Sequence, residues 1–241
     1  MTTKRPFADA QEIASLIDHT LLKPDSTETD IVVVCRQALE YKFASVCVNP
    51  CWVPLVHSHL QSSNVKTCSV VGFPLGASQA RIKADETLQA LADGAAEIDI
   101  VINVGALRSG DAGLVGREIQ LLASAVHANS AILKVIIETC LLTDEQKVAA
   151  CKLAKEAGAD FVKTSTGFST GGATESDVAL MRATVGPNMG VKASGGVRSL
   201  DALTRMVQAG ATRIGTSSGV QIIANFRAGI AALEQGIGGN Y

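Results

Sequence analysis

Asp93-Gly-Ala-Ala-Glu97-Ile-Asp99-Ile-Val-Ile-Asn103 carries a whole helix-to-strand transition. Gly94 is placed to end a helix, two alanines form a short link, and an alternating run follows. Ile98, Ile100 and Ile102 share one face of that run, and Glu97, Asp99 and Asn103 share the other. The link recurs as Ala157-Gly-Ala-Asp160 and Ala209-Gly-Ala-Thr212. A repeated helix–glycine–strand unit favours one α/β repeat over separate domains.

Outward from that stretch, strand patterns fall at Leu16–Thr20, Ala44–Val48, Thr67–Phe73, Glu97–Asn103, Ile132–Thr139, Asp160–Val162 with Lys163, Gly190–Ser194 and Thr212–Thr216. Helical patterns separate them. Ser26 or Thr27 can cap the helix bearing Ile31, Val34, Cys35, Ala38 and Leu39. Ser78 is read as the start of a helix that packs Ile82, Leu88 and Leu91. Thr143-Asp-Glu-Gln146 is a capping box, and Thr174-Glu-Ser-Asp177 caps another helix. A short leading helix precedes the first strand. Eight such units fit a single (β/α)8 (TIM) barrel over residues 1–241, with 236–241 as a flexible tail. A doubly wound sheet is the alternative. It would carry fewer strands and, for a dinucleotide, Gly-x-Gly-x-x-Gly after the first, which this chain lacks.

Composition narrows the function. Of 241 residues, 47% are hydrophobic and 18% charged, enough for a large core. A net charge of −2 without a basic block argues against nucleic acid or an anionic membrane as partner. No apolar run approaches the roughly 18 residues of a membrane span, and the polar start lacks a signal-peptide core. The six cysteines form no Cys-x-x-Cys pair and read as reduced thiols of a cytoplasmic protein. His57-x-His59 lacks further ligands, so no metal is expected.

In a barrel the isoleucines of Glu97–Asn103 face the helices, and Asp99 faces in. The same parity turns Lys134 and Glu138 inward, with Asp18 from the first strand; His19 is left open. Lys163 and Lys192 lie on two further strands. An inert core would not hold six charges cheaply. They are expected to gather at one end of the barrel. A buried lysine kept neutral is a nucleophile toward carbonyls, and a second lysine beside it disfavours protonation. A buried ion-pair network without chemistry is the bland reading. Gly195-Gly196 and Gly215-Thr-Ser-Ser-Gly219 follow the last two strands, where barrels often bind phosphate; Thr166-Gly167 can add a contact.

The chain resembles the 2-deoxyribose-5-phosphate aldolases, class I (Schiff-base) enzymes of the barrel type. The resemblance covers nearly the whole length. It rests on Ile17-Asp-His-Thr-Leu-Leu22, Val46-Cys-Val-Asn-Pro50, Val71-Gly-Phe-Pro-Leu-Gly76, Glu97-Ile-Asp99, Leu133-Lys-Val-Ile-Ile-Glu138, Phe161-Val-Lys-Thr-Ser-Thr-Gly167, Val191-Lys-Ala-Ser-Gly-Gly196 and Gly215-Thr-Ser-Ser218. It implies reversible cleavage of 2-deoxy-D-ribose 5-phosphate to D-glyceraldehyde 3-phosphate and acetaldehyde, without cofactor. Lys163 then forms the Schiff base, Asp99 moves protons, and Lys192 keeps the nucleophile neutral. Lys134 and Asp18 orient them, and Gly167, Gly195, Gly196, Gly215, Ser217 and Ser218 hold the phosphate. Phe168 stands where some members carry lysine, which puts the preference for phosphate in question. Cys47 is read as a core residue. Tyr241 is either a frayed end or a proton-transfer group folded over the site. Another Schiff-base aldolase, a sugar-phosphate isomerase and a non-catalytic sensor are the alternatives. A homodimer or homotetramer is expected.

Overall fold

The computed structural model describes the backbone of residues 7–237 and the side chains of residues 7–230. Among them, eight parallel strands close into a barrel in chain order. These are β1 (Ile17–Leu21), β2 (Ser45–Val48), β3 (Lys66–Val71), β4 (Glu97–Val101), β5 (Ile132–Ile136), β6 (Phe161–Lys163), β7 (Gly190–Ser194) and β8 (Arg213–Thr216). Closure is made by β1 on β8, with Asp18 opposite Gly215. The helices are α1 (Ala10–Ala14), α2 (Glu28–Tyr41), α3 (Val53–Leu60), α4 (Ala80–Ala92), α5 (Val104–Arg108), α6 (Ala112–Ala128), α7 (Asp144–Glu156), α8 (Glu175–Val185), α9 (Leu200–Gln208) and α10 (Gly219–Ile237). Tyr241 and the end of the expected tail lie outside the described residues.

Local chemistry explains the boundaries. Thr27 caps α2 in a reciprocal box with Asp30, and Thr143 caps α7 in one with Gln146. Thr174 accepts the Asp177 N–H at the start of α8. The main core lies between barrel and helices, where Ile98, Ile100, Leu133, Val135, Val162 and Val191 are fully buried. Each such side chain contributes about 1.5–3 kcal/mol.

Three strands stop earlier than the hydrophobic pattern suggests. β3 ends at Val71, β4 at Val101 and β5 at Ile136. Gly72 (φ 61°) and Glu138 (φ 57°) turn left-handed, while Asn103 caps α5, a helix absent from the sequence reading. At these C-terminal ends the chain leaves the sheet to build loops over the barrel mouth.

α4 departs from expectation. It begins at Ala80 after Gln79, not at Ser78. Ile82 and Leu88 are about half exposed, at 48% and 49%, and the helix buries Lys83, Thr87 and Ala90 instead. Lys83 Nζ reaches Glu118 Oε1 on α6 at 2.7 Å and the Val101 carbonyl at 2.7 Å. Hydropathy cannot see this face, because its core-facing residue is a lysine paired from another helix. Burial pushes Lys83 down and Glu118 up, so both ions resist desolvation. Lys83→Met alone should cost about 3 kcal/mol, because it strands a buried carboxylate. Adding Glu118→Leu should return the urea midpoint to within about 1 kcal/mol of the parent.

Candidate active site

The inner face of the barrel carries a column of charge. Lys163 ends β6, and its Nζ lies 2.8 Å from Asp99 Oδ2 on β4. Lys192 on β7 reaches the same oxygen at 2.7 Å and ion-pairs with Asp18 on β1. Lys134 on β5 lies 2.8 Å from Asp99 Oδ1, 2.6 Å from Glu97 Oε2 and 3.8 Å from Asp18 Oδ2. Arg213, the first residue of β8, lies 2.7 Å from Asp18 Oδ1 and 3.1 Å from Glu97 Oε2. Strand pairing sets this out: Lys134 stands beside Asp99, and Lys163 beside Lys192.

The charges therefore come from six strands and span the barrel. They are not confined to one end, as the sequence suggested. Glu97 and Arg213 open their strands, whereas Lys163 closes its own. Glu138 is not a member. It lies past the end of β5 and accepts the Thr166 N–H at 3.2 Å, bracing the turn before Gly167. His19 faces α2, where Nε2 meets Gln37 Oε1 at 2.7 Å.

The electrostatics are lopsided. Burial would raise the Asp99 carboxyl, but Lys134, Lys163 and Lys192 outweigh it and hold the group well below the usual carboxylate range. Burial likewise opposes the charge on Asp18, and Lys192, Arg213 and Lys134 reverse the outcome. Burial works against the cations of Lys134 and Lys192, yet the carboxylates facing them keep both above the ordinary lysine range. A depressed folded-state carboxyl contributes stability above its unfolded value and loses it as pH falls. Stability should thus hold above the ordinary aspartate value of 3.8 and drop steeply below it. Urea midpoints measured from about pH 6 down to about pH 3 should show that loss.

Cys47 and Cys68 sit in the same interior, with Cys68 Sγ 3.4 Å from Asp99 Oδ1. With Asp99 they are the one metal-sized donor group among the described residues. Both Asp99 oxygens already accept lysine ammonium groups, so a metal cation would have to displace them. Hydrogen bonding to Cys68 and nearby lysines lower the Cys47 thiol despite its burial.

At the C-terminal mouth lies a cavity of about 290 Å³. Lys163 forms its floor, and Thr166, Gly167, Ser194, Gly195, Gly196, Gly215 and Ser217 line it. Ser218 is not among the lining residues, and its N–H is taken by Thr216 Oγ1 at 3.0 Å. The glycines have steric work. Gly195 has φ 84°, and a Cβ there would lie 2.9 Å from Gly172 Cα, so two backbones pass in contact behind the cavity. A Cβ on Gly215 would lie 3.1 Å from Lys192 Cε. Lys23 and Arg198, which the sequence reading missed, also line the cavity and bring positive charge. Phe168 stands at the rim, edge-on to Phe73 with ring centroids 5.3 Å apart. A larger cavity of about 650 Å³ opens by the N-terminal ends of β5 to β8, beside Phe161 and Pro187. It contains none of the candidate residues.

Arg213 was also missed, although a signal existed. In Thr212–Thr216 the outward residue is Ile214, so Arg213 and Gly215 must face in. Lys23 and Arg198 carry no such periodicity, because they lie on loops.

A lysine at the mouth of a (β/α)8 barrel, beside a glycine-lined cavity, is the arrangement of an enzyme equipped for carbonyl chemistry. Comparison with known proteins specifies the kind. The model of the DeoC/LacD family aldolases matches residues 13–231. The deoxyribose-phosphate aldolase of Geobacillus sp. strain WCH70 is 61% identical over 211 residues, 88% of this chain and 94% of that protein. That of Bacillus mycoides is 59% identical over 213 residues, 88% and 95% of the two chains. The tetrameric deoxyribose phosphate aldolase of Aeropyrum pernix superposes with a TM-score of 0.87 at 36% identity, covering 92% of this chain and 94% of that one. The chain belongs to the DeoC/LacD family of aldolases.

Proposed function

We propose that the protein cleaves 2-deoxy-D-ribose 5-phosphate reversibly, with Lys163 as the Schiff-base nucleophile. Lys163 lining a glycine-rich cavity, with its Nζ 2.8 Å from Asp99 Oδ2, carries this reading. The neutral amine attacks the C1 aldehyde, and loss of water leaves an iminium. A base removes the C3 hydroxyl proton, the C2–C3 bond breaks, and its electrons pass into the iminium. Glyceraldehyde 3-phosphate departs, leaving a two-carbon enamine. Protonation at C2 and hydrolysis then release acetaldehyde and restore Lys163.

Asp99 serves this sequence as a fixed anion and, through water, as a proton carrier. Its lysine partners hold it as an anion and make it a weak base, so it passes protons through a bridging water. Lys192 stays charged beside the nucleophile and is held by Asp18, while Lys134 holds Asp99. The phosphate occupies the glycine-lined rim at Gly167, Gly195, Gly196 and Gly215 with Ser217, where Lys23 and Arg198 balance its charge. Tyr241 as a carrier of the C2 proton belongs to the same proposal. The iminium supplies the electron sink, so the scheme calls on no metal ion.

Borohydride reduction in the presence of acetaldehyde tests the assignment. It should leave an ethyl group on Lys163, found by peptide mass mapping and absent from Lys163→Ala. An adduct on Lys192 would exchange the roles of the two lysines, and no adduct at all would remove the Schiff-base mechanism.

Assembly and compartment belong to the same proposal. Ile82 and Leu88 on α4 and Leu121 on α6 are about half exposed, an apolar surface suited to a dimer or tetramer that light scattering would detect. Six free cysteines, two of them exposed, suit the reducing cytoplasm. No helix among the described residues is long and apolar enough to cross a membrane.

A further inference from the structure

We propose that Arg213, at the end of the barrel opposite the cavity, is a positioning residue that helps keep the Lys163 amine free for attack. The inference rests on Lys163 being the nucleophile.

Among the described residues, the interior column holds four cationic side chains, Lys134, Lys163, Lys192 and Arg213. It holds three carboxylates, Asp18, Glu97 and Asp99. All but Arg213 are essentially shut off from water, and its side chain is 14% exposed. A surplus positive charge in such a medium is costly, and release of one proton removes it.

The partners decide which cation gives way. Lys134 faces three carboxylates, and Lys192 and Arg213 face two each. Lys163 has one, Asp99, whose same oxygen it shares with Lys192. A guanidinium does not deprotonate in proteins, so Arg213 cannot relieve the surplus. The least-paired lysine is also the one that opens onto the cavity. Arg213 therefore acts over the length of the barrel by occupying Asp18 and Glu97, which would otherwise be free to balance the lysines.

The other groups around Lys163 do not alter the count. Burial pushes the Cys68 thiol on β3 up, so it enters uncharged, and Cys47 on β2 is counted as a thiol, a count that Cys47→Ala tests below. Glu138, beyond β5, is bound to the Thr166 N–H and hydroxyl at the rim.

The sign follows. Without the guanidinium, three lysines face three carboxylates, and the interior has no surplus proton to release. The acid limb of the kcat/KM profile should move up by about one pH unit in Arg213→Met, the scale of one charge in a low-dielectric interior. Arg213→Lys restores the cation and should return the limb to its parental position. Glu97→Gln leaves four cations against two carboxylates and should move the limb the other way. A role in folding alone would lower activity at every pH without moving the limb.

Each variant is assayed as the full chain from about pH 5 to pH 9, with circular dichroism to establish folding and borohydride–acetaldehyde labelling as a second readout. If Arg213→Met does not fold, Arg213→Lys and Glu97→Gln still carry the test. An unmoved limb in folded Arg213→Met or Glu97→Gln, with Lys163 still labelled, overturns the role of Arg213 and leaves the nucleophile standing. An unmoved limb with no label in the parent enzyme overturns both. If Cys47→Ala moves the limb as far as Arg213→Met, a thiolate supplies the fourth anion and the inventory is wrong.

Discussion

Lys163→Met is expected to lower the cleavage rate by on the order of 10⁴-fold or more while leaving the fold as stable as the parent. The two halves have one cause. Lys163 is the fourth basic side chain in a column with three carboxylates, and its one carboxylate partner among the described residues also accepts Lys192 and Lys134. Methionine fills similar volume without an amine to bury, and Asp99 keeps Lys134 and Lys192 as partners, so no buried charge is stranded when the nucleophile goes. Urea unfolding with an unchanged m-value should show a free energy equal to the parent or up to about 1 kcal/mol higher. A loss of several kcal/mol would identify Lys163 as a structural ion-pair member. Retained turnover would move the chemistry to another group.

Asp99→Asn should fail in both respects. The amide matches the carboxylate in shape but leaves Lys134, Lys163 and Lys192 without the anion they share. Four cations then face two carboxylates. Breaking a buried network by removing one partner costs about 3–5 kcal/mol. Activity should fall by on the order of 10³-fold, because the lysines lose their alignment together with the proton carrier. The deficit has a pH signature. With the shared anion gone, the interior cations outnumber the carboxylates left, Asp18 and Glu97, and together hold protons more weakly folded than unfolded. The penalty is therefore full at neutral pH and shrinks as pH rises toward the ordinary lysine value of 10.5. Urea midpoints at about pH 7 and about pH 9 should converge on those of the parent enzyme. A constant gap would assign the loss to packing rather than charge.

Much of this protein is written in local pattern. The alternation of Glu97–Asn103, the recurrent Gly-Ala links and the capping boxes at Thr27 and Thr143 specify strand, helix and boundary from side-chain periodicity and backbone hydrogen-bonding needs. Parity within a strand also turns Asp18, Asp99, Lys134 and Lys192 inward, because successive residues of a strand face opposite sides. Closure of eight units then brings them together.

Other features have no local cause. Ile82 and Leu88 look like core and are half exposed, because α4 is seated by Lys83 reaching Glu118 on another helix. Glu138 has inward parity but leaves the strand in a left-handed turn toward Thr166. Lys23 and Arg198 come to the cavity on loops, whose course depends on what they pack against. The depth of the charge column arises in the same way. Local chemistry determines which residues are charged and which face they take. The height of each along the barrel, and hence its partners and the imbalance of four cations against three carboxylates, depends on the stagger of strands distant in sequence.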